Sequence, residues 1–217
     1  MKYIIMCGGD YKKWKKPKQI YELNGEPIVA RTIRLLRECG IDDIAISSNN
    51  PVFEKFGVPV LSHINPWQVY DTNNVRGRWC TAFYPMNEPA CYLMGDVVFS
   101  RAAIQKIVST DTDSIEFFAS CPPFAKEYKK IYAEPFAFKV VDQKRFRTAI
   151  TRVNDLESKH AFRRPPIAWE LWQVIKNTPL NNVDYTNYVT INDYTCDIDS
   201  QNDIKNFEDL GEVMLNE

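Results

Sequence analysis

Paired glycines and a dense cluster of lysines lie near the start of the sequence. Gly8 and Gly9 follow the apolar run 3–5, and the lysines after them are Lys12, Lys13, Lys15, Lys16 and Lys18. Glycine has no Cβ, so the chain can turn sharply here and bring its N–H groups close to a bulky anion. Pro17 fixes its own φ and favours an extended residue before it, so Lys18 follows a stiffened site. The pattern predicts a cradle for a triphosphate; the alternative is a surface turn with solvated charges.

Three aspartates lie where carboxylates could hold a divalent cation. Asp96 follows Gly95 directly after the apolar run Ala90–Met94, so it lies just past a buried strand, beside a residue that leaves room. Asp197 and Asp199 are on the same side of an extended segment, where two carboxylates suit a cation and repel each other without one. Mg²⁺ accepts one or two protein carboxylates and takes its other ligands from phosphate and water. The alternative is that one of the aspartates only caps the last helix.

Two common phosphate-binding motifs are excluded by their spacing. No Gly-Lys-Ser/Thr closes the first loop as a P-loop requires, and no G-x-G-x-x-G opens a helix as a dinucleotide site requires. The first loop therefore needs a different explanation.

The order of these motifs resembles that in nucleotidyltransferases of the sugar-nucleotide and alcohol-phosphate cytidylyltransferase group. That group has a small residue before Gly-Gly, a basic loop ending in Pro-Lys, a Gly-Asp pair and an acidic segment before the last helix. The matching segments are Cys7-Gly8-Gly9, Pro17-Lys18, Gly95-Asp96 and Asp197-Ile198-Asp199. The sequence departs from the pattern in its short loop, in lysines where the loop usually has an arginine, and in Asp197, which replaces a glutamate.

The resemblance implies a role for each of these segments. Lys18, Asp96 and Asp199 would be catalytic, and Asp96, Asp199 and Asp197 would be the candidate ligands of Mg²⁺. The implied nucleotide contacts are Cys7, Gly8, Gly9, Asp10, Lys12, Lys13, Lys15, Lys16, Asn49, Asn73, Asn74 and Gly95.

The implied acceptor contacts lie in the second half of the chain: Glu134, Arg163, Arg164, Trp169 and Glu170. Arginine suits a phosphate because its guanidinium binds oxygens bidentately. Trp169 and Trp172 are three residues apart on a predicted helix and face one side, and such a pair most often belongs to the core. Lys139 is expected either to reach a phosphate or to lie in solvent.

The elements that position these residues predict an α/β fold. Strands are expected at 3–5, 43–48, 58–61, 90–94, 114–120, 129–133, 136–141 and 189–191, and helices at 28–39, 79–84, 100–108, around Trp169 and after Ser200. The resemblance implies a single nucleotide-diphospho-sugar transferase domain over residues 1–217, which is GT-A-like and Rossmann-like. Its mixed, mostly parallel sheet is flanked by helices. In such sheets ligands bind beyond the carboxyl ends of the strands.

Composition limits the other classes of protein. A chain of 217 residues that is 45% hydrophobic can form one domain with a substantial core. A net charge of −1 disfavours a general nucleic-acid or anionic-membrane surface. Its six cysteines form no C-x-x-C pair, and its two histidines are isolated, so neither a disulfide framework nor a zinc site is expected. No apolar run has the length of a signal peptide or a membrane span, so a cytoplasmic protein is expected. We expect it to be a monomer or homodimer.

The reaction that the resemblance implies joins CTP to a small phosphorylated alcohol or sugar and releases pyrophosphate. The CDP-linked product would be of the kind that serves as a precursor of cell-surface polysaccharides. One alternative is a uridylyl- or thymidylyltransferase of sugar 1-phosphates. Another is a glycosyltransferase that uses Asp197-Ile198-Asp199 as a D-x-D motif, and a third is a non-catalytic subunit that senses nucleotides.

Overall fold

The computed structural model describes residues 1–8, 14–62, 78–122 and 132–216. The strands are β1 Lys2–Met6, β2 Glu22–Leu23, β3 Glu26–Pro27, β4 Ile44–Ser47, β5 Val60–Leu61, β6 Ala90–Met94, β7 Val97–Val98, β8 Ile115–Ala119, β9 Pro135–Val140, β10 Val189–Thr190 and β11 Cys196–Asp197. The α-helices are α1 Ile28–Glu38, α2 Arg101–Ser109, α3 Gln143–Ser158, α4 Ala168–Lys176 and α5 Gln201–Asn216. Short 3₁₀ helices span Lys18–Ile20, Pro51–Phe56 and Arg78–Ala82.

Within these ranges the main sheet has seven strands in the order β10-β8-β9-β6-β1-β4-β5. β1 pairs in parallel with both β4 and β6, and β8 pairs in parallel with β10. β9 runs antiparallel to both of its neighbours, β6 and β8. The predicted mixed, mostly parallel sheet is therefore confirmed, and the parallel strands all end at one edge.

Helices cover both faces of the sheet, as the side chains of β9 show. Phe138 lies on one face, where its ring contacts Phe146 of α3 and Trp172 of α4. Lys139 lies on the other face, beside the end of α2, because successive side chains of a strand point in opposite directions. α1 and α5 both contact α2. The central strands β1 and β6 are consequently almost completely buried.

The environment of Lys139 corrects both expectations for this residue. Its side chain is buried, and its Nζ atom donates to the carbonyl oxygens of Ile107, Val108 and Thr110 at 3.1, 2.9 and 2.6 Å. These are carbonyls of the last turn of α2 and the residue that follows it, which have no partner within the helix and attract a cation. Lys139 therefore caps α2 and neither lies in solvent nor reaches toward a phosphate.

Local signals account for the segment that leads from Lys18 into α1. Asn24 and Gly25 have φ of 51° and 80° and form the tight turn between β2 and β3. Positive φ at both residues is typical of the type I′ hairpin turn, for which Asn-Gly is preferred. α1 begins after Pro27 and ends before Gly40, whose φ is 78°. The helix expected from residue 28 is therefore confirmed.

Two other elements differ from expectation. The helix expected at 79–84 is the 3₁₀ helix Arg78–Ala82. The strand expected at 129–133 lies mostly outside the described residues, and Tyr132 and Ala133 belong to no strand. Among the helices of the described ranges, none combines the length and apolar composition that crossing a membrane requires.

Candidate active site

The ends of β1, β4 and β6 are joined at the edge of the sheet. The amide of Cys7 donates to the carbonyl of Ser47 at 2.9 Å, and the hydroxyl of Ser48 donates to the carbonyl of Cys7 at 3.2 Å. The amide of Gly95 donates to the carbonyl of Met6 at 3.1 Å. Cys7 is fully buried, whereas Gly8, the next residue, is exposed. The first glycine of the loop therefore leaves the sheet at the edge where ligands are expected.

Gly95 is required by a close approach of the backbone. A Cβ atom at this position would lie 2.3 Å from the carbonyl oxygen of Met6 and 2.9 Å from the sulfur of Cys7. Only glycine leaves space for the end of β1 to pass. This contact fixes the position of the next residue, Asp96, beside the start of the glycine-lysine loop.

A short antiparallel ribbon of β7 and β11 brings the segment Asp197-Ile198-Asp199 to Asp96. β11 pairs with β7 so that Cys196 lies opposite Val98 and Asp197 opposite Val97. The amide of Ile198 continues the pairing by donating to the carbonyl of Asp96 at 2.9 Å. Asp199 is the next residue along the chain, so this register brings its carboxylate close to that of Asp96.

Lys18 links the two carboxylates. Its Nζ atom lies 2.8 Å from Oδ2 of Asp96 and 3.7 Å from Oδ1 of Asp199. The same ammonium donates to the main-chain carbonyl of Ile198 at 2.7 Å. Lys18 begins a 3₁₀ helix directly after Pro17, whose side chain is buried, so the lysine extends from a fixed point. The three residues predicted to be catalytic are thus brought together from three separate segments of the chain.

The charges in this cluster determine the protonation of Lys18. Burial lowers the pKa of Lys18, but the ion pairs with Asp96 and Asp199 and the nearby charge of Asp197 outweigh it, so the pKa is raised above its ordinary 10.5. Lys18 is therefore a cation at neutral pH. Burial, and then the charge of Asp96, raise the pKa of Cys7 well above its ordinary 9.0, so this thiol is neutral.

The carboxylates of Asp96 and Asp199 are suited to a metal ion whose other ligands come from the substrate and from water. Among the side chains that the structure describes, no three from His, Cys, Asp and Glu converge to hold a metal by themselves. Asp96 and Asp199 supply carboxylates at one place, and the thiol of Cys196 lies 3.6 Å from Oδ1 of Asp197. Such a pair fits Mg²⁺ when phosphate and water complete its coordination.

The other predicted nucleotide contacts divide into two groups. Gly9, Asp10, Lys12, Lys13, Asn73 and Asn74 lie outside the described residues. Of the rest, Lys15 and Lys16 are exposed, and Nζ of Lys16 lies 4.5 Å from the ring centroid of Tyr21. Asn49 is exposed just beyond β4 and accepts a hydrogen bond from the hydroxyl of Ser62 at 2.7 Å.

The predicted acceptor residues include groups that already have structural roles. The indole of Trp169 is only 1% exposed and donates to the carbonyl of Ala133 at 3.1 Å, so the structure supports its interpretation as a core residue. Glu170 is also buried; it accepts from Nε of Arg164 at 2.6 Å and from the amide of Ile167 at 2.9 Å, which caps α4. Neither side chain offers free surface to an acceptor in this conformation.

Glu134 and Arg163 are in different surroundings. Glu134 is buried directly before β9, whose start lies at the same edge as the end of β8, and its amide donates to the hydroxyl of Ser120 at 2.7 Å. Arg163 is exposed and donates to the side chain of Asn182 at 3.0 Å. Acceptor binding by these residues stays a prediction.

One functional group was missed by the sequence analysis. The carbonyl of Ile198 accepts a hydrogen bond from Lys18 at 2.7 Å, a shorter contact than either ion pair of this ammonium, yet Ile198 is an apolar, fully buried residue. Because the interacting group belongs to the main chain, no side-chain pattern in the sequence identifies it.

Three solved structures of similar fold are distant from this chain in sequence. The inositol-1-phosphate CTP transferase from T. maritima aligns with a TM-score of 0.59 and 15% identity, over 97% of this chain and 96% of that one. A putative glucose-1-phosphate thymidylyltransferase from Bacillus anthracis aligns with a TM-score of 0.54 and 17% identity, over 96% and 94%. CTP:phosphocholine cytidylyltransferase from Streptococcus pneumoniae aligns with a TM-score of 0.52 and 16% identity, over 96% and 98%. At these identities the likeness establishes the fold.

The family is established by the sequence itself. Among curated proteins, none matches this sequence. The model of the MobA-like NTP transferase domain matches residues 3–161, a range that includes Lys18 and Asp96, while Asp199 lies beyond it. The chain therefore belongs to the MobA-like NTP transferase domain family and is a nucleotidyltransferase.

Proposed function

We propose that the protein is a Mg²⁺-dependent cytidylyltransferase that joins CTP to a small phosphorylated alcohol or sugar. The products would be a CDP-linked compound and pyrophosphate. The observation that carries this proposal is the contact of Lys18 with both Asp96 and Asp199, at the edge where β1, β4 and β6 end. This cluster combines a cation for phosphate with carboxylates for a metal ion.

CTP is the favoured nucleotide because of the similar structures. Two of them are named for their use of CTP, the inositol-1-phosphate and phosphocholine enzymes. One is named as a putative thymidylyltransferase, so a thymidylyltransferase of a sugar phosphate is the second candidate. Both candidates use the same reaction and differ in the base and the acceptor.

The reaction needs no catalytic base. An oxygen of the acceptor phosphate, already ionised at neutral pH, attacks the α-phosphorus of the nucleotide and forms a new P–O bond. The bond between the α-phosphorus and the bridging oxygen breaks, and pyrophosphate leaves with the electron pair. Catalysis then depends on positioning the two substrates and on neutralising charge.

The residues of the cluster are suited to these tasks. The ammonium of Lys18 would contact the α-phosphoryl oxygens, where negative charge develops during transfer. The main-chain amides of Gly8 and Gly9, with the lysines of the loop, would bind the outer phosphates. Asp96 and Asp199 would hold Mg²⁺, with Asp197 as a third candidate. When bound, Mg²⁺ neutralises charge on the triphosphate and orients it.

A screen of substrates tests this function. Each common ribonucleoside triphosphate and dTTP is incubated with Mg²⁺ and a panel of sugar and alcohol phosphates, and pyrophosphate release is measured. We expect release with CTP and one class of acceptor. Release only with dTTP or UTP and a sugar 1-phosphate would support the second candidate instead.

The screen also separates the remaining alternatives. A glycosyltransferase would transfer sugar from a nucleotide sugar without releasing pyrophosphate. A nucleotide-sensing subunit would show a thermal shift with a nucleotide but no turnover with any acceptor. Either result would contradict the proposed function.

A further inference from the structure

A set of side-chain hydrogen bonds joins the segment that follows β7 to the segment that precedes β11. Oδ2 of Asp193 accepts from the hydroxyl of Ser100 at 2.7 Å, and Oδ1 of Asp193 accepts from the amide of Thr195 at 2.7 Å. The hydroxyl of Thr195 accepts from the amide of Ser100 at 3.0 Å. Ser100 and Thr195 are almost completely buried. We name these three residues the Asp193 clamp.

The position of the clamp relative to the ribbon is informative. Ser100 follows β7 by one intervening residue, and Thr195 directly precedes β11. The clamp therefore closes one end of the β7–β11 ribbon, while Asp96 and Asp199 lie at the other end. The two ends are joined by strands of only two residues each.

A ribbon this short does not fix its own register. Two-stranded ribbons are marginally stable alone, and a shift of one residue turns every side chain to the opposite face. Such a shift between β7 and β11 would separate Asp199 from Asp96 and from Lys18. The strands themselves pair Cys196 with Val98 and Asp197 with Val97. The bonds of the clamp extend this pairing by joining Ser100 to Thr195, and so they hold the register.

The hydrogen bonds of Asp193 are not needed to cap α2. The hydroxyl of Ser100 accepts from the amide of Ala103 at 2.8 Å, which already caps the helix. The same hydroxyl donates its only proton to Asp193, which connects Ser100 to the segment before β11. Its carboxylate thus joins two segments and is not required by the helix alone.

We propose that Asp193 is a positioning residue of the active site, which holds Asp199 opposite Asp96 by fixing the register of β11 on β7. This inference rests on the proposed function, because it assigns Asp199 to the metal and nucleotide site. Asp193 bonds Ser100 and Thr195, at the end of the ribbon opposite Asp96 and Asp199. Its effect must therefore pass through Asp199, which makes the proposal testable.

The test is a double-mutant cycle read by metal binding. Binding of Mn²⁺ in the presence of CTP, without acceptor, is measured by electron paramagnetic resonance for the wild type, Asp193→Ala, Asp199→Asn and the double variant. Loss of a residue that orients a metal ligand typically costs about 10- to 100-fold in affinity. We expect Asp193→Ala to weaken Mn²⁺ binding about tenfold in the wild-type background and to have no further effect beside Asp199→Asn. An equal loss in both backgrounds would overturn the proposal, because it would indicate a general effect on folding.

Two further variants keep the test decisive. Asp193→Asn retains an oxygen for the amide of Thr195 and should restore most of the affinity lost in Asp193→Ala. Asp42→Ala, at an exposed aspartate, is the matched control and should bind Mn²⁺ as the wild type does. All variants are compared below their melting temperatures; if Asp193→Ala does not fold, Thr195→Val, which removes the hydroxyl that accepts from the amide of Ser100, is taken through the same cycle with the same expected loss.

The outcomes separate the inference from the function on which it rests. A wild type that binds Mn²⁺ with CTP, beside an Asp193→Ala variant of equal affinity, overturns the inference and leaves the proposed function standing. A wild type that binds no Mn²⁺ with any nucleoside triphosphate contradicts the proposed function, and the inference with it.

Discussion

The ammonium of Lys18 lies 2.8 Å from the carboxylate of Asp96, although one residue follows a loop after β1 and the other follows β6. The two meet because β1 and β6 are adjacent parallel strands whose ends are joined by the bond from Gly95 to Met6. Asp199 approaches the same ammonium from a third segment. The ion pair thus depends on long-range pairing of strands, and each of its partners can be tested separately.

Replacing Lys18 should have opposite effects on catalysis and on metal binding. In Lys18→Met, kcat should fall about 10²- to 10³-fold, the usual loss for one charge-stabilising contact. Binding of Mn²⁺ without nucleotide should strengthen, because the ammonium no longer competes for Asp96 and Asp199. Steady-state kinetics and electron paramagnetic resonance measure the two effects. Lys205→Met, at an exposed lysine of α5, should change neither; unchanged kcat in Lys18→Met would remove Lys18 from the mechanism.

Gly95→Ala should displace Asp96. The added methyl would overlap the carbonyl of Met6, 2.3 Å away, and relief of this overlap must move the end of β6. We expect a loss of about 3 kcal/mol in unfolding free energy and, from a shift of about 1 Å at Asp96, a loss of about 10²-fold in kcat/KM. Urea unfolding measures the change in unfolding free energy, and steady-state kinetics measure the change in kcat/KM.

Gly57→Ala is the matched control for Gly95→Ala. A Cβ at Gly57 meets nothing within 4 Å, and the cost comes only from its φ of 69°. It should lose about 1–2 kcal/mol of stability with wild-type kcat/KM. Equal kinetics in the two alanine variants would contradict the role assigned to Gly95.

Above neutral pH, the stability that the Lys18 ion pairs provide should decline only in the alkaline range. Because the pKa of Lys18 in the folded protein is raised above 10.5, the folded protein holds this proton more tightly than the unfolded chain does. The stability from the ion pairs is therefore complete below the unfolded pKa of Lys18 and is lost as the pH rises through its folded pKa. The difference in unfolding free energy between wild type and Lys18→Met, followed by urea unfolding from about pH 8 to about pH 11, should be constant at first and then decline. A decline that begins near neutral pH would show that the lysine pKa is lowered instead.

Lys139 should matter for stability and not for turnover. Its ammonium donates to three carbonyls around the end of α2, and a hydrogen bond with a charged partner contributes about 1.5–3 kcal/mol. Lys139→Met should lose about 2–3 kcal/mol of unfolding free energy and keep the wild-type kcat. Lys144→Met, at an exposed lysine of α3, is the control. A large drop in kcat with unchanged stability would instead indicate that Lys139 acts on a phosphate.

Local signals in the sequence were sufficient for the first half of the site. The apolar run of β6 followed by Gly95-Asp96 predicted both the strand and the position of the aspartate, and Asn24-Gly25 is the preferred sequence for the type I′ turn of the hairpin after Lys18. In each case the residues that determine the structure are neighbours in the chain. The long helix α3 went unpredicted, although Asp142 supplies a side-chain cap at its start.

Contacts between distant segments could not be predicted in this way. The register of β11 on β7, which brings Asp199 to Asp96, depends on residues far apart in the sequence. Lys139, in strand β9, has no local signal for burial, since its partners are carbonyls at the end of helix α2. Trp169 shows the same limit, because the core position of its indole depends on contacts with Phe117 and Tyr185.

Phosphorus NMR of a single reaction mixture tests the central claim most directly. With CTP, Mg²⁺ and the acceptor found in the screen, the wild type should convert the CTP signals into those of a CDP-linked product and pyrophosphate in equal amounts. Asp96→Asn, folded to the same extent by circular dichroism, should leave CTP unchanged over the same period. Formation of the same products by Asp96→Asn at the wild-type rate would contradict a transfer centre built on Lys18, Asp96 and Asp199.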